Sequence, residues 1–372
     1  MPVSWRRVRQ PNARWLKFTL LLTFMDAHLR ERLARLHQTH VGQYSIVSLD
    51  PPIFCIQVHG DGLNQFVERY RMLFSALRGR PAFALCCHSF NLSSSALRAV
   101  AHMVANCREQ FPDLQLTQLC NEPHQPALFR EMGIAAEFCN KNCFVDDSLF
   151  MPMPSITRRF DAVYDARLLA FKRHHLAYTV ANLALIYYPV PSDDPAYVRE
   201  VRERLSHAHW FNHADTGAFR LLSRPEINER LAACRVGLCL SAEEGQMLAS
   251  IQYLLAGLPV VTTPSQGGRD VFFEDRFVIT ADPEPGAIQS AVRALIQRAI
   301  PPDEIRHATL QRIAQHRHAF FGVVQRIYDQ LGVRRTFADE WPTVFVNTMM
   351  RNQLHTDTLS MLAAQGRAAP AS

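Results

Sequence analysis

The stretch LSAEEGQMLASIQYLLAGLPVVTTPSQGGRD, residues 240–270, decides the fold. An apolar run, RVGLCLS, leads into it and ends at Ser241. Glu243, Glu244 and Gly245 then read as a turn into a helix. In that helix Met247, Ile251, Leu254 and Leu255 share one face, which must be core. Gly245, Ala249, Gln252 and Ala256 share a second, narrow face of mostly small residues. PVVTT follows as a β-branched strand, and Gly267 and Gly268 close the segment. Strand, turn, helix, strand is the repeating unit of a parallel sheet covered by helices. Free N–H groups at the helix start would favour an anion, and Gly245 would let a ligand approach the backbone. Carboxylates beside them would accept hydrogen bonds from hydroxyls. By itself, the acidic turn is also compatible with an ordinary helix start.

The same alternation runs in both directions. KFTLLLTF, YSIVSL, IFCIQVHG, AFALCCHS, LQLTQLCNE and IAAEFCNKN read as strands of a first unit, separated by amphipathic stretches such as LNQFVERYRMLFSALRG. Continuously apolar strands are buried on both faces, as parallel strands are. Periodicity lapses in FVDDSLFMPMPSITRR, residues 144–159, a proline-bearing connection. It then restarts with FDAVYDA as a strand, FKRHHLAYTVANL as a helix and LALIYYPV as a strand, and continues beyond residue 300 in long helical stretches. One of these is expected from about 342 to 362. The expected organisation is α/β: an acceptor-side Rossmann-like domain over 1–150, a second over 151–338, and a C-terminal helix and tail over 339–372, the helix able to cross back to the first domain. At 372 residues the chain has the length for two such cores. Ligands in such sheets bind beyond the carboxyl ends of the strands, in the cleft between the units.

Composition narrows the function classes. With 48% hydrophobic and 20% charged residues, the chain reads as globular. No apolar run reaches the length of a membrane span, and FTLLLTFM is followed by DAHLRERLARL rather than by small residues, so a cytoplasmic protein is expected. A formal charge of +6 selects no partner, and the cations form no aromatic-interleaved patch of the kind that binds nucleic acid. Nine cysteines without a C-x-x-C pair point to buried free thiols, not to zinc or disulfides. No D-x-D motif offers a donor metal site, so none is expected.

After FDAVYDA, Arg167 and Lys172 fall in one strand-to-helix junction, where two cations could clamp a diphosphate. Together with the acidic turn, the small-faced helix, AGLPVVTTPSQGG and its Gly-Gly pair, this order resembles the carboxyl-terminal half of the family-four (group 1) retaining nucleotide-sugar glycosyltransferases, which have the GT-B fold. The resemblance covers roughly residues 160–298. It implies that Arg167 and Lys172 hold the donor diphosphate, assisted by the N–H groups of Gly245, Gln246 and Met247. It implies that Glu244, with Glu243 beside it, accepts hydrogen bonds from donor-sugar hydroxyls. The family's second acid, which binds the ribose, is replaced by Gln252, an amide that can still bond a diol but carries no charge. Ser223 and Arg224, in LLSRPE, stand where the family holds the nucleobase. The donor is then a substrate, no cofactor is implied, and the partners are a nucleotide sugar and a saccharide or lipid-linked acceptor.

In the first unit, VHGDGLNQ places His59 and Gly60 after a strand, CCHSFN places His88 at another strand end, and LCNE places Asn121 and Glu122 at a third. All are expected at the cleft, where a histidine could bond an acceptor hydroxyl, although a packed or surface histidine is the blander reading. The basic, aromatic start SWRRVRQPNARWLKF could touch an anionic membrane carrying such an acceptor. Two other readings fit the same fold: an epimerase or phosphorylase, and a sugar-nucleotide binder without activity, the latter suggested by Gln252.

Overall fold

The computed structural model describes residues 40–190, 193–213, 218–346 and 348–368. The basic start, the strand expected at KFTLLLTF and the helix expected after it lie outside the described residues. Within them the chain builds two six-stranded sheets. The first contains β1 (Val41–Leu49), β2 (Pro52–Val58), β3 (Ala82–His88), β4 (Leu114–Cys120) and β5 (Ala135–Phe138), and takes β12 (Arg351–Leu354) beside β1. The second has the order β11-β10-β9-β6-β7-β8, from β6 (Phe160–Asp165), β7 (Leu183–Ile186), β8 (His209–Trp210), β9 (Cys234–Cys239), β10 (Val260–Thr262) and β11 (Val278–Thr280).

Every pairing in the second sheet is parallel, as are those from β2 to β5. The reason is visible in the strands: β2 and β3 are buried at all seven positions, so helices must cover both faces. The exception to the expected parallel sheets is one edge, where β1 runs antiparallel to both β2 and β12.

The helices are α1 (Phe66–Ser75), α2 (Ser94–Gln110), α3 (Gln125–Glu131), α4 (Pro195–Arg204), α5 (Arg224–Ala232), α6 (Leu248–Leu255), α7 (Pro285–Arg298), α8 (Pro302–Gln330), α9 (Phe337–Val344) and α10 (His355–Ala368). In α1 the buried residues Phe66, Tyr70, Leu73 and Phe74 recur at helical spacing, and their rings stack into the first core. Two expected elements differ. The segment FKRHHLAYTVANL is not a helix but a pair of short 3-10 turns, Ala170–Lys172 and His174–Ala177, broken at Arg173, whose φ is 54°. Its guanidinium donates to the Leu240 carbonyl and the Thr263 hydroxyl, each at 2.5 Å, and these bonds draw the backbone away from helical geometry. The helix expected over 342–362 is also divided. Pro342 sits near the end of α9, and residues 351–354 prefer pairing with β1, which leaves α10 to pack on β1 and α1.

One apolar core runs without a break from the face of the first sheet that carries Ile53, Leu85 and Leu119 into the second domain. The long helix α8 spans both. Its Arg317 donates to the Cys143 and Val145 carbonyls and pairs with Asp147 at 2.9 Å, while Phe320 meets Phe144 edge to face. All nine cysteines are buried and unpaired. Among the described residues no helix is long and apolar enough to cross a membrane.

The ends of β9 and β10 are fixed by a single side chain. Arg269 is wholly buried, and its guanidinium donates to the Cys239 and Ser241 carbonyls at 3.0 and 2.8 Å and to the Thr263 carbonyl at 2.6 Å. It also reaches the Thr262 hydroxyl at 2.5 Å and pairs with Asp270 through two bonds of 2.6 and 3.1 Å. Asp270 holds the guanidinium charged against the desolvation that opposes it. Replacing Arg269 with Met would leave those carbonyls buried without donors. The expected loss is about 3–5 kcal/mol, read from urea unfolding; a change below about 1 kcal/mol would show that the strand ends hold without it.

Candidate active site

The carboxyl end of β6 delivers Asp165, Ala166 and Arg167 into the gap between the sheets. Arg167 donates to Asp193 at 2.8 Å and lies over the Tyr188 ring, while its Nε is buried without a partner. The following turn is anchored by the Tyr164 hydroxyl, which donates to the Lys172 carbonyl at 2.5 Å. That anchor presents the Lys172 ammonium to Glu244, at the end of β9, in a close ion pair. Lys172 and Glu244 keep only 12% and 10% of their side-chain surface exposed, so the pair is poorly screened by solvent. Lys172 also lies 5.0 Å over the Phe171 ring. Two strand-to-helix junctions expected to cooperate, one cationic and one acidic, do meet.

Asp165 was not a sequence candidate. It is partly buried, and its carboxyl is pushed up to about 7 by burial, against the pull of Lys172. Its backbone N–H donates to the Tyr253 hydroxyl at 2.6 Å, which fixes the strand end against α6. The available signal was an acid two residues before Arg167 at the close of an apolar strand.

The acidic turn differs in detail from its expectation. The helix begins at Leu248, so Gly245, Gln246 and Met247 form an irregular loop before it rather than its first turn. What approaches Gly245 is the first domain: a Cβ there would overlap the backbone of Phe90. Gly267, at φ 98°, gives the Glu244 carbonyl the same close approach, and a Cβ on Gly268 would stand 2.5 Å from that of Asn121. The Glu244 N–H is committed to the Gln266 carbonyl at 2.8 Å. Glu243 is exposed and accepts from Asn91 of the first domain at 3.2 Å. The Met247 carbonyl accepts from Asn142 at 3.1 Å, and the Gln246 Oε1 is buried without a partner. Gln252, 8% exposed, makes no side-chain hydrogen bond with any described residue.

Ser223 caps α5 in a capping box with Glu226, whose carboxyl is held down to about 2 by the Ser223 N–H and hydroxyl and by Arg220. Arg224 follows as the first residue of α5, close enough to Arg351 of β12 for the two charges to oppose each other.

Not every expected residue of the first domain reaches the cleft. His59 is partly buried between Gln43 at 2.7 Å and Ser89 at 3.1 Å, and Gly60 is exposed beside it. His88 is wholly buried against Gln118 at 3.1 Å and stacked on Phe129. Burial pulls its ring down to about 4, so it is a neutral core residue rather than a hydroxyl-binding one. Asn121 is likewise structural: it donates to the His88 carbonyl at 2.9 Å, and its carbonyl accepts from Asn140. Asn140 donates in addition to the Gly268 carbonyl at 2.7 Å, a bond between domains that sequence reading missed. Among the described residues no cluster of His, Cys, Asp and Glu has a metal-holding arrangement.

No family model and no curated protein matches the sequence. Solved structures do match the fold. The chain is similar to the sucrose-phosphate synthase of Thermosynechococcus elongatus, with a TM-score of 0.51 and 13% identity over 76% of this chain and 74% of that one. It is also similar to HepE of Anabaena, solved in complex with UDP and glucose, with a TM-score of 0.50 and 17% identity over 74% and 77% of the two chains. The fold is therefore GT-B, two Rossmann-like domains about a cleft.

The Asp165 carboxyl yields a signed expectation. An unfolded aspartate titrates near 4, so between there and about 7 the folded chain binds the additional proton. Stability therefore falls as pH rises through that window. Asp165→Asn, which cannot ionise, is expected to melt above the parent at pH 8, with the gain shrinking toward pH 5. An equal shift at both pH values would show that Asp165 carries no extra proton in the folded chain.

Proposed function

We propose that the protein is a glycosyltransferase that moves a sugar from a nucleotide-sugar donor to a saccharide or lipid-linked acceptor, in polysaccharide or glycoconjugate synthesis. The observation that carries this reading is the meeting of Lys172 and Glu244 from separate strand ends, with Arg167 beside them. Cleaving a glycosyl-phosphate bond builds negative charge on the departing diphosphate and positive charge on the sugar. Preorganised cations stabilise the first without reorganising as the reaction proceeds.

Arg167 and Lys172 are each neutralised by a carboxylate, Asp193 and Glu244. A diphosphate entering between them takes the place of those acids, and Glu244 is released to accept hydrogen bonds from the donor-sugar hydroxyls. Glu243, Gly245, Gln246 and Met247 line the same loop; the unpartnered Gln246 oxygen is a further acceptor for a hydroxyl. Gln252 would meet the ribose through an amide, and Ser223 and Arg224 would border the nucleobase. Arg167 and Lys172 supply the charge for the leaving group, and the resemblance to retaining enzymes favours retention at the transferred carbon. UDP-glucose is the first donor to test because HepE, which shares the fold, was solved with UDP and glucose. A chain of this kind would work in the cytoplasm, at a membrane face when its acceptor is lipid-linked.

A nucleotide sugar is expected to raise the melting temperature of the full chain. Lys172→Met should weaken its binding about ten- to a hundredfold, the scale of one charge-assisted contact. Glu244→Gln should lower turnover far more than it lowers affinity for the free nucleotide diphosphate. If no nucleotide sugar in a broad panel shifts the melting temperature, the donor assignment fails. Free nucleotide released only when acceptor is present separates transfer from epimerisation.

A further inference from the structure

Glu122, expected at the cleft, stands just past the carboxyl end of β4 and lines a cavity of about 510 Å³ walled by both domains. Phe138, the last residue of β5, lines it from the first domain as well. From the second domain come Gly267 and Asp270 of the Gly-Gly loop. The helix α8 adds Arg312, Gln315 and His316, which share one of its faces. None of these residues belongs to the site of Arg167, Lys172 and Glu244, although a Cβ on Gly267 would overlap the Glu244 carbonyl. The cavity thus adjoins the donor loop without sharing its charged groups. Its volume falls within the roughly 300–1,000 Å³ of small-molecule sites.

The uncommitted hydrogen-bonding groups of the cavity define what fits it. His316 is 8% exposed, and its Nδ1 accepts from the Asn140 N–H at 3.2 Å. Burial, with Arg312 nearby, pulls the ring down to about 4, so it is neutral and its one proton sits on Nε2. That N–H has no partner among the described residues. Arg312 gives its Nε to Glu274 at 2.9 Å and its Nη1 to the Val271 carbonyl at 3.4 Å, which leaves Nη2 open. Glu122 takes the Gln125 amide on one oxygen at 2.7 Å and keeps the other. Gln315 is exposed and bonds no described residue. Charge disfavours an anion, because Arg312 is already matched by Glu274 and Asp270 by Arg269, while Glu122 adds an unmatched carboxylate. Open donors and acceptors together, beside the half-buried ring of Phe138, suit a hydroxylated ring, since each hydroxyl both gives and takes a hydrogen bond.

We propose that this cavity binds an uncharged sugar unit, its hydroxyls shared among Glu122, Arg312, Gln315 and the His316 Nε2–H, with an apolar ring face against Phe138. The site is separate from that of the donor, and the proposal does not rest on the transferase reading. Cellobiose, maltose, lactose, glucuronate and spermidine would each be titrated into the full chain, with binding followed by saturation-transfer NMR. At least one neutral disaccharide is expected to bind about tenfold or more tighter than glucuronate, which meets the like charge of Glu122. Gln315→Trp, at an exposed helix position, places an indole in the cavity and should abolish sugar binding at an unchanged melting temperature. Glu122→Ala, which removes one acceptor, should weaken it about tenfold. Failure of every neutral disaccharide to bind, or equal binding to Gln315→Trp, would overturn the proposal. So would glucuronate or spermidine binding better than all of the neutral sugars. UDP titrated into the same samples reports on the donor reading alone, so the two ideas fail separately.

Discussion

A guanidinium with no exposed surface is tolerated only when its charge and its donors are matched, and Arg269 meets that condition through Asp270, three carbonyls and two hydroxyls. The groups it gathers are the last residues of two parallel strands and the first of the Gly-Gly loop. Without that gathering, the loop from Ser241 to Met247 would have no fixed floor, and Glu244 would not be held opposite Lys172. Arg173 extends the same arrangement by bonding Leu240 and Thr263, and the cost is a left-handed residue in the middle of what reads as a helix. A local preference gives way here to a tertiary one, because strand ends beneath a binding loop leave carbonyls that must find donors.

Much of the fold was legible because its strands are continuously apolar and its helices regularly periodic. The elements from β2 through α8 follow that pattern, apart from the turns after β6 and the two-residue strand β8. What escaped was governed by partners distant in sequence. Nothing in RNQL, residues 351–354, marks a strand; it becomes one because β1 presents an open edge. Nothing in FKRHH marks a break, which depends on the Leu240 carbonyl and the Thr263 hydroxyl, 67 and 90 residues away in the chain. The site divides in the same way. Arg167, Lys172 and Glu244 were visible as candidates because cations and acids stand at successive strand ends, and the structure brings Lys172 and Glu244 together. Asp165 was not, since a single acid gains meaning only from the burial around it. His88 and Asn121 were misplaced for the converse reason: a polar residue at a strand end can turn back into the core when a neighbouring strand offers it a partner.

The glycines of the opening motif also change in meaning. Gly245 resembled a place for a ligand, yet that space is filled by the Phe90 backbone of the other domain, and Gly268 is packed in the same way against Asn121. Three amide bonds, from Asn91, Asn140 and Asn142, accompany those contacts. The loop from Ser241 to Met247 is therefore shaped partly by the opposite domain, and its geometry depends on how the two stand together.

The return of β12 to the first sheet has a consequence for how the chain is made. β1 is synthesised about three hundred residues before the strand that covers its outer edge. During that interval the edge is open while the whole second domain emerges, and α10, which packs on β1 and α1, is also still to come. The amino-terminal domain thus cannot reach its final form on the ribosome ahead of the carboxyl-terminal one. Its last folding step waits for residues 351–368 to emerge, a long-range closure of the slow kind.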